Sequence, residues 1–130
     1  MTLAEAVSLR AGSRGELHVV HVANAHTDGD SLVHWRKADV LHMGDTFFHK
    51  VSFPFVDLKS GGSIDGLIAA VNRAMGLAGP QTRIIPGHGP VATPADLVAY
   101  RDMLVDIRNA VAAGIAAGDV QVIVDCSSMH

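Results

Sequence analysis

The hydrophobic period of this 130-residue chain changes once, at Ser63, and that change limits the fold more than any other feature. Before it, apolar and β-branched residues fall in short runs separated by turn formers, the pattern of strands. Ala6–Arg10 and residues 16–23 flank Ala11-Gly12-Ser13-Arg14-Gly15, a linker of hairpin length. Residues 31–35 and 38–43 come after the polar loop 24–30 and are joined by Arg36-Lys37, so four strands come first. Beyond the change, Ile64, Leu67, Ile68, Val71 and Met75 recur at helical spacing, with Ser63 as N-cap and Asp65 in the first turn. They predict a helix over 63–76, ended by residues 76–80. Arg83-Ile84-Ile85 predicts a brief buried strand. Thr93-Pro94-Ala95-Asp96 has the capping-box pattern with Pro at the first helical position, and Leu97, Tyr100, Leu104, Ile107 and Val111 continue one apolar face. A second helix is predicted over 94–113, closed by Gly114 and Gly118. Residues 120–124 read as a final strand or an ordered tail.

Strands followed by helix, strand and helix predict one layered α/β unit: a small, mostly antiparallel sheet carrying two helices on one face. A chain of this length is read as a single domain, 1–130. With 48% hydrophobic and 18% charged residues it is no disordered chain. Ten Lys and Arg against thirteen Asp and Glu, signs mixed and without a basic run, argue against nucleic-acid binding by charge. Gly, Asp or His breaks every apolar stretch before the roughly 20 residues of a membrane span, and residues 1–10 lack the order of a signal peptide. The chain is therefore expected to be soluble, with no membrane partner, and cytoplasmic by default. Its single cysteine, Cys126, can form no internal disulfide and reads as an inert thiol.

Two stretches look irregular. Residues 46–62 mix aromatics with Pro54 and end in Ser60-Gly61-Gly62, too long for a plain connection. Pro86-Gly87-His88-Gly89-Pro90 is so rich in Gly and Pro that it implies a tight backbone approach. Three settings suit a ligand. His26 lies in Ala25-His26-Thr27-Asp28-Gly29-Asp30, just past a strand. Asp45 closes Leu41-His42-Met43-Gly44-Asp45, where a desolvated carboxylate needs a cation or donors. His88 sits between two glycines at another strand end. Each alone is more often a turn residue or a structural histidine; together, in this order, the two His and one Asp suit zinc or a non-haem metal. His18, His21, His34, His42 and His49 fall in or beside strands and read as surface or hydrogen-bonded residues, and His130 is terminal.

Residues 25–31, 40–45 and 85–89 resemble three successive motifs of the metallo-β-lactamase-fold hydrolases, in the same order, with the resemblance running from about Val7 to about Val111. It implies half of an αββα sandwich. It also implies that His26 is the third histidine of one metal site, Asp45 the carboxylate bridging two metals, and His88 the ligand completing the second site. Ser60-Gly61-Gly62-Ser63 resembles the loop and helix start beside the family's substrate cleft. The family's N-terminal His-x-His-x-Asp-His motif is absent, and His18-Val19-Val20-His21 has the wrong spacing on a strand to replace it.

What remains resembles the C-terminal half of the fold: a fragment, a gene remnant, or a free-standing half-domain completed by association. The resemblance implies metal-dependent hydrolysis by a completed site. The isolated monomer is expected to be a poor catalyst, with zinc weak or absent. The competing reading is a non-catalytic half-domain that mediates assembly or binds metal weakly. A half with one uncovered sheet face is expected to form a homodimer through it, or to pair with a separate N-terminal half-domain.

Overall fold

The computed structural model describes residues 6–10 and 15–118, so the strand or tail expected at 120–124 lies outside the described residues. Five strands form one sheet: β1 (Ala6–Arg10), β2 (Glu16–Val22), β3 (Asp30–Trp35), β4 (Val40–Phe48) and β5 (Arg83–His88). They lie side by side in chain order. Neighbours from β1 to β4 pair antiparallel. Strand β5 returns parallel to β4 after the helix α1 (Ile64–Leu77), and α2 (Pro94–Ala116) comes after it. The mostly antiparallel sheet with two helices on one face is thus the observed architecture.

Alternation along the strands decides which side chains meet the helices. Val20 and Val22 of β2, Leu32 of β3, Leu41 and Met43 of β4 and Ile84 of β5 point to one face. They form a single buried cluster with Leu67, Val71 and Ala74 of α1 and with Leu97, Tyr100 and Leu104 of α2. Each aliphatic side chain of this size contributes about 1.5–3 kcal/mol when fully buried, which holds both helices on that face. The helix starts are set by their capping residues. Ser63 accepts from the Gly66 N–H, and Thr93 and Asp96 form a reciprocal capping box behind Pro94. Those Thr93 hydrogen bonds hold the Asp96 carboxyl below the usual carboxylate range.

The opposite face carries the other half of the alternation. Val7, Val19, Val33, His42 and Ile85 are successive cross-strand partners in one row. Leu9, Leu17, Trp35, Val40 and Arg83 form the next row. Among the described residues no helix lies on this side. Val7, Leu9 and Trp35 are 46%, 52% and 39% exposed, a larger apolar surface than scattered single residues would make.

Three boundaries differ from the sequence reading by three residues or more. Strand β4 runs on through Phe48 instead of giving way to loop at Thr46, because register shifts on either side of Gly44 break the alternation while pairing continues. Thr46 and Phe47 are consequently both buried. Strand β5 extends through His88, so Pro86 and Gly87 belong to the sheet. Helix α2 continues through Gly114 to Ala116, since one helical glycine costs only about 1 kcal/mol. No helix among the described residues is long and apolar enough to cross a membrane.

Candidate metal centre

Strands β2, β4 and β5 run in the same direction, so their C-terminal ends, and the turns that leave them, gather at one edge of the sheet. His26 lies in the turn after β2, Asp45 within the last part of β4, and His88 at the end of β5. All three meet there. His88 Nε2 is 3.1 Å from Asp45 Oδ1, and His26 Nε2 is 3.7 Å from Asp45 Oδ2. One carboxylate therefore presents one oxygen to each imidazole. The His26 side chain is largely buried, whereas Asp45 and His88 are 43% and 55% exposed, so the cluster opens to solvent on the His88 side.

Each member is held from behind. The His26 Nδ1–H donates to the Phe55 carbonyl, which turns Nε2 towards Asp45. The Phe55 ring meets the imidazole edge-on, with centroids 6.0 Å apart. His88 stacks on Phe48 at a centroid distance of 4.6 Å. Its carbonyl accepts the His49 N–H at 2.9 Å. Gly87 allows β5 to approach Asp45, because a Cβ at this position would lie 2.4 Å from Asp45 Oδ1 and 2.6 Å from the Gly44 carbonyl. This is the tight approach implied by the Gly-Pro-rich sequence.

His49, which reads in the sequence as a surface or hydrogen-bonded histidine, is 7% exposed and works as a strut. Its Nδ1–H donates to the Pro90 carbonyl, and Nε2 lies 3.9 Å from Asp96 Oδ2 at the start of α2. The side chain thus ties the residue just past β4 to the loop that leaves β5 and to the helix behind it. Phe48 and Phe55 are the site residues that sequence reasoning does not find, since an aromatic beside a strand end carries no signal of its neighbour. His18 contacts the Ser8 hydroxyl and His21 donates to the Asp28 carbonyl, on opposite faces of β2. His42 accepts from the Gly44 N–H.

Two imidazole nitrogens and a carboxylate are zinc-type donors. Two ligands of one tetrahedral zinc lie roughly 3.4 Å apart when each bond is about 2.1 Å, and the two contacts of Asp45 bracket that separation. Among the described residues, however, no group of three or more His, Cys, Asp or Glu side chains stands as a ready-made cage around one point. The arrangement is two His–carboxylate pairs sharing Asp45.

No family model and no curated relative matches the sequence. Solved structures do match the fold. A metallo-β-lactamase from Pontibacter korlensis is 18% identical, over 81% of this chain and 48% of its own, with a TM-score of 0.66. The DIM-1 metallo-β-lactamase exposed to ceftazidime is 19% identical, over 80% and 46%, with a TM-score of 0.64. A protein solved in a di-iron-bound form is 26% identical, over 75% and 45%, with a TM-score of 0.58. This chain spans about half the length of the structures it matches, and its fold is that part of the metallo-β-lactamase fold.

Proposed function

We propose that this chain supplies one half of a metal-dependent hydrolase site, with His26, Asp45 and His88 as its metal ligands. The observation that carries the proposal is the Asp45 carboxylate, which turns one oxygen to each histidine. A zinc ion held there would lower the pKa of its bound water towards about 7 and polarise a substrate carbonyl or phosphoryl oxygen. In this reading Asp45 is shared between two metal positions, with His26 at one and His88 at the other. Phe55 fixes the His26 ring through its carbonyl, and Phe48 supports the His88 ring. Phe55 itself is 64% exposed beside the cluster and would border the substrate.

Three protein ligands leave coordination positions open, and this sequence holds no His-x-His-x-Asp-His motif to fill them. The open sheet face accounts for where the rest would come from. A second sheet laid on the rows Val7–Ile85 and Leu9–Arg83 would cover it, contributed by a second copy of this chain or by a separate N-terminal half-domain. The isolated monomer is accordingly a poor catalyst that binds zinc weakly. The fold alone does not choose among lactams, thioesters, esters and phosphodiesters.

A second reading, a half-domain that mediates assembly without catalysis, is favoured by the lack of a three-donor cage among the described residues. Zinc content measured together with turnover on a panel of those four substrate classes separates the two. Zinc-dependent turnover that appears with association and is lost in His88→Ala supports the hydrolase. Association without turnover on any class supports the assembly module.

A further inference from the structure

We infer that residues 55–63 form a clamp that sets the orientation of His26, with Asp57 as its positioning residue. The inference rests on His26 being a metal ligand, and it gives the Ser60-Gly61-Gly62-Ser63 motif a different task from bordering a substrate cleft. The Phe55 carbonyl takes the His26 Nδ1–H, and two residues later the Asp57 N–H donates to the His26 carbonyl at 2.8 Å. His26 is thus held at its ring and at its backbone by the same short segment. Asp57 in turn is locked from ahead. Its carboxylate accepts the Ser60 hydroxyl at 2.7 Å and the Ser60 N–H at 3.3 Å, and its carbonyl accepts the Gly62 N–H at 2.9 Å. These bonds wind Leu58–Ser60 into one 3-10 turn.

The returning chain then grips the other side of the His26 turn. The Asp28 N–H donates to the Ser60 carbonyl at 3.0 Å, the Asn24 side-chain amide to the Gly61 carbonyl at 2.8 Å, and the Ser63 hydroxyl to the Asn24 carbonyl at 2.9 Å. Gly62 is required by this contact: a Cβ there would lie 2.3 Å from the His26 carbonyl oxygen and 2.7 Å from that of Ala25. A carbonyl that takes the second ring N–H of a ligating histidine fixes its tautomer and its direction, and losing such support typically costs about tenfold to a hundredfold in metal affinity.

The test is the protonation site of the His26 ring in the metal-free chain, read from ring-nitrogen NMR shifts well above the ordinary histidine pKa of about 6.5. The clamp predicts a single Nδ1–H tautomer. Asp57→Ala should mix in the Nε2–H form and lower cobalt(II) affinity about tenfold, and Asp57→Asn, which keeps an acceptor for Ser60, should restore both. Gly62→Ala should act like Asp57→Ala; circular dichroism reports whether either variant still folds, and the wild-type tautomer stands as a test if neither does. A mixed or Nε2–H tautomer in the wild-type chain overturns the clamp, as does an Asp57→Ala ring indistinguishable from wild type. A clean Nδ1–H tautomer with no cobalt binding overturns the metal reading and leaves the clamp standing.

Discussion

Gly87 backs directly onto Asp45, with no room between them for a single methyl group: a Cβ at position 87 would lie 2.4 Å from Asp45 Oδ1. The parallel pairing of β5 with β4 brings His88 to the same carboxylate, so the close approach and the His88–Asp45 contact are one feature of the sheet.

Gly87→Ala is therefore expected to push β5 away from Asp45. Overpacking of this kind costs about 1–3 kcal/mol, and the variant should melt lower and lose what metal affinity the chain has. Gly76→Ala, where a Cβ meets nothing within 4 Å, is the control and should be neutral or stabilising. Equal melting temperatures for the Gly87→Ala variant and wild type would show that β5 is not packed against Asp45 in this way.

The end of β4 is anchored to α2 by one buried bond, in which the Tyr100 hydroxyl donates to the Thr46 carbonyl at 3.1 Å. Burial pushes the Tyr100 phenol well above its ordinary pKa, so it stays a donor across the accessible range. Tyr100→Phe should cost about 0.5–1.5 kcal/mol in denaturant unfolding. The same change with no shift of the unfolding midpoint would mean that the anchor contributes nothing.

His34 supplies a pH dependence. Its Nε2 is buried without a hydrogen-bond partner among the described residues, 3.9 Å from Asp39 Oδ1. Burial lowers its pKa; Arg36 and His18 act in the same direction and Asp39 opposes them. The unfolded chain then takes up a proton that the folded chain refuses. Stability should be unaffected by this group above the unfolded value of about 6.5 and should fall as pH drops through it, levelling off below the lowered folded pKa. Thermal melts from about pH 8 to about pH 5 should show the loss, and a shallower slope in His34→Leu. An identical slope in that variant would assign the pH dependence to other groups.

How much of this is legible in the sequence depends on whether side chains or backbone carry the feature. Ser63 and the Thr93–Asp96 box mark both helix starts, because capping is done by side chains of a few types. The gathering of His26, Asp45 and His88 at one edge is foreshadowed by their places at the ends of strands, which the structure shows to run in the same direction. The extension of β4 to Phe48 is hidden by the irregular register around Gly44, which puts Thr46 and Phe47 inward in succession. Hidden too are the contacts that hold His26. They end on the carbonyls of Phe55, Asn24 and His26, which any residue carries, and the side chains that help, those of Asn24, Asp57, Ser60 and Ser63, are of types common in any turn, so the glycine needed at position 62 leaves the clearest mark.

The open sheet face is proposed above to drive association. Val19 and Val33 are cross-strand partners at the middle of the uncovered row. Light scattering at micromolar concentration should show the chain paired or larger, and Val19→Glu with Val33→Lys should shift it to monomer while helix content is kept. A soluble, cooperatively folded wild-type monomer would show that this face needs no cover.

Whether Asp45 is shared between His26 and His88 as a metal ligand is read without intermediary by a cobalt(II) titration monitored through visible absorbance. Weak, saturable binding is expected in the wild-type chain, reversed by chelator, with loss of that binding in Asp45→Ala and weakening in each of His26→Ala and His88→Ala. A titration curve unchanged by Asp45→Ala, or a wild-type chain that binds no cobalt at any concentration, would contradict a shared carboxylate ligand.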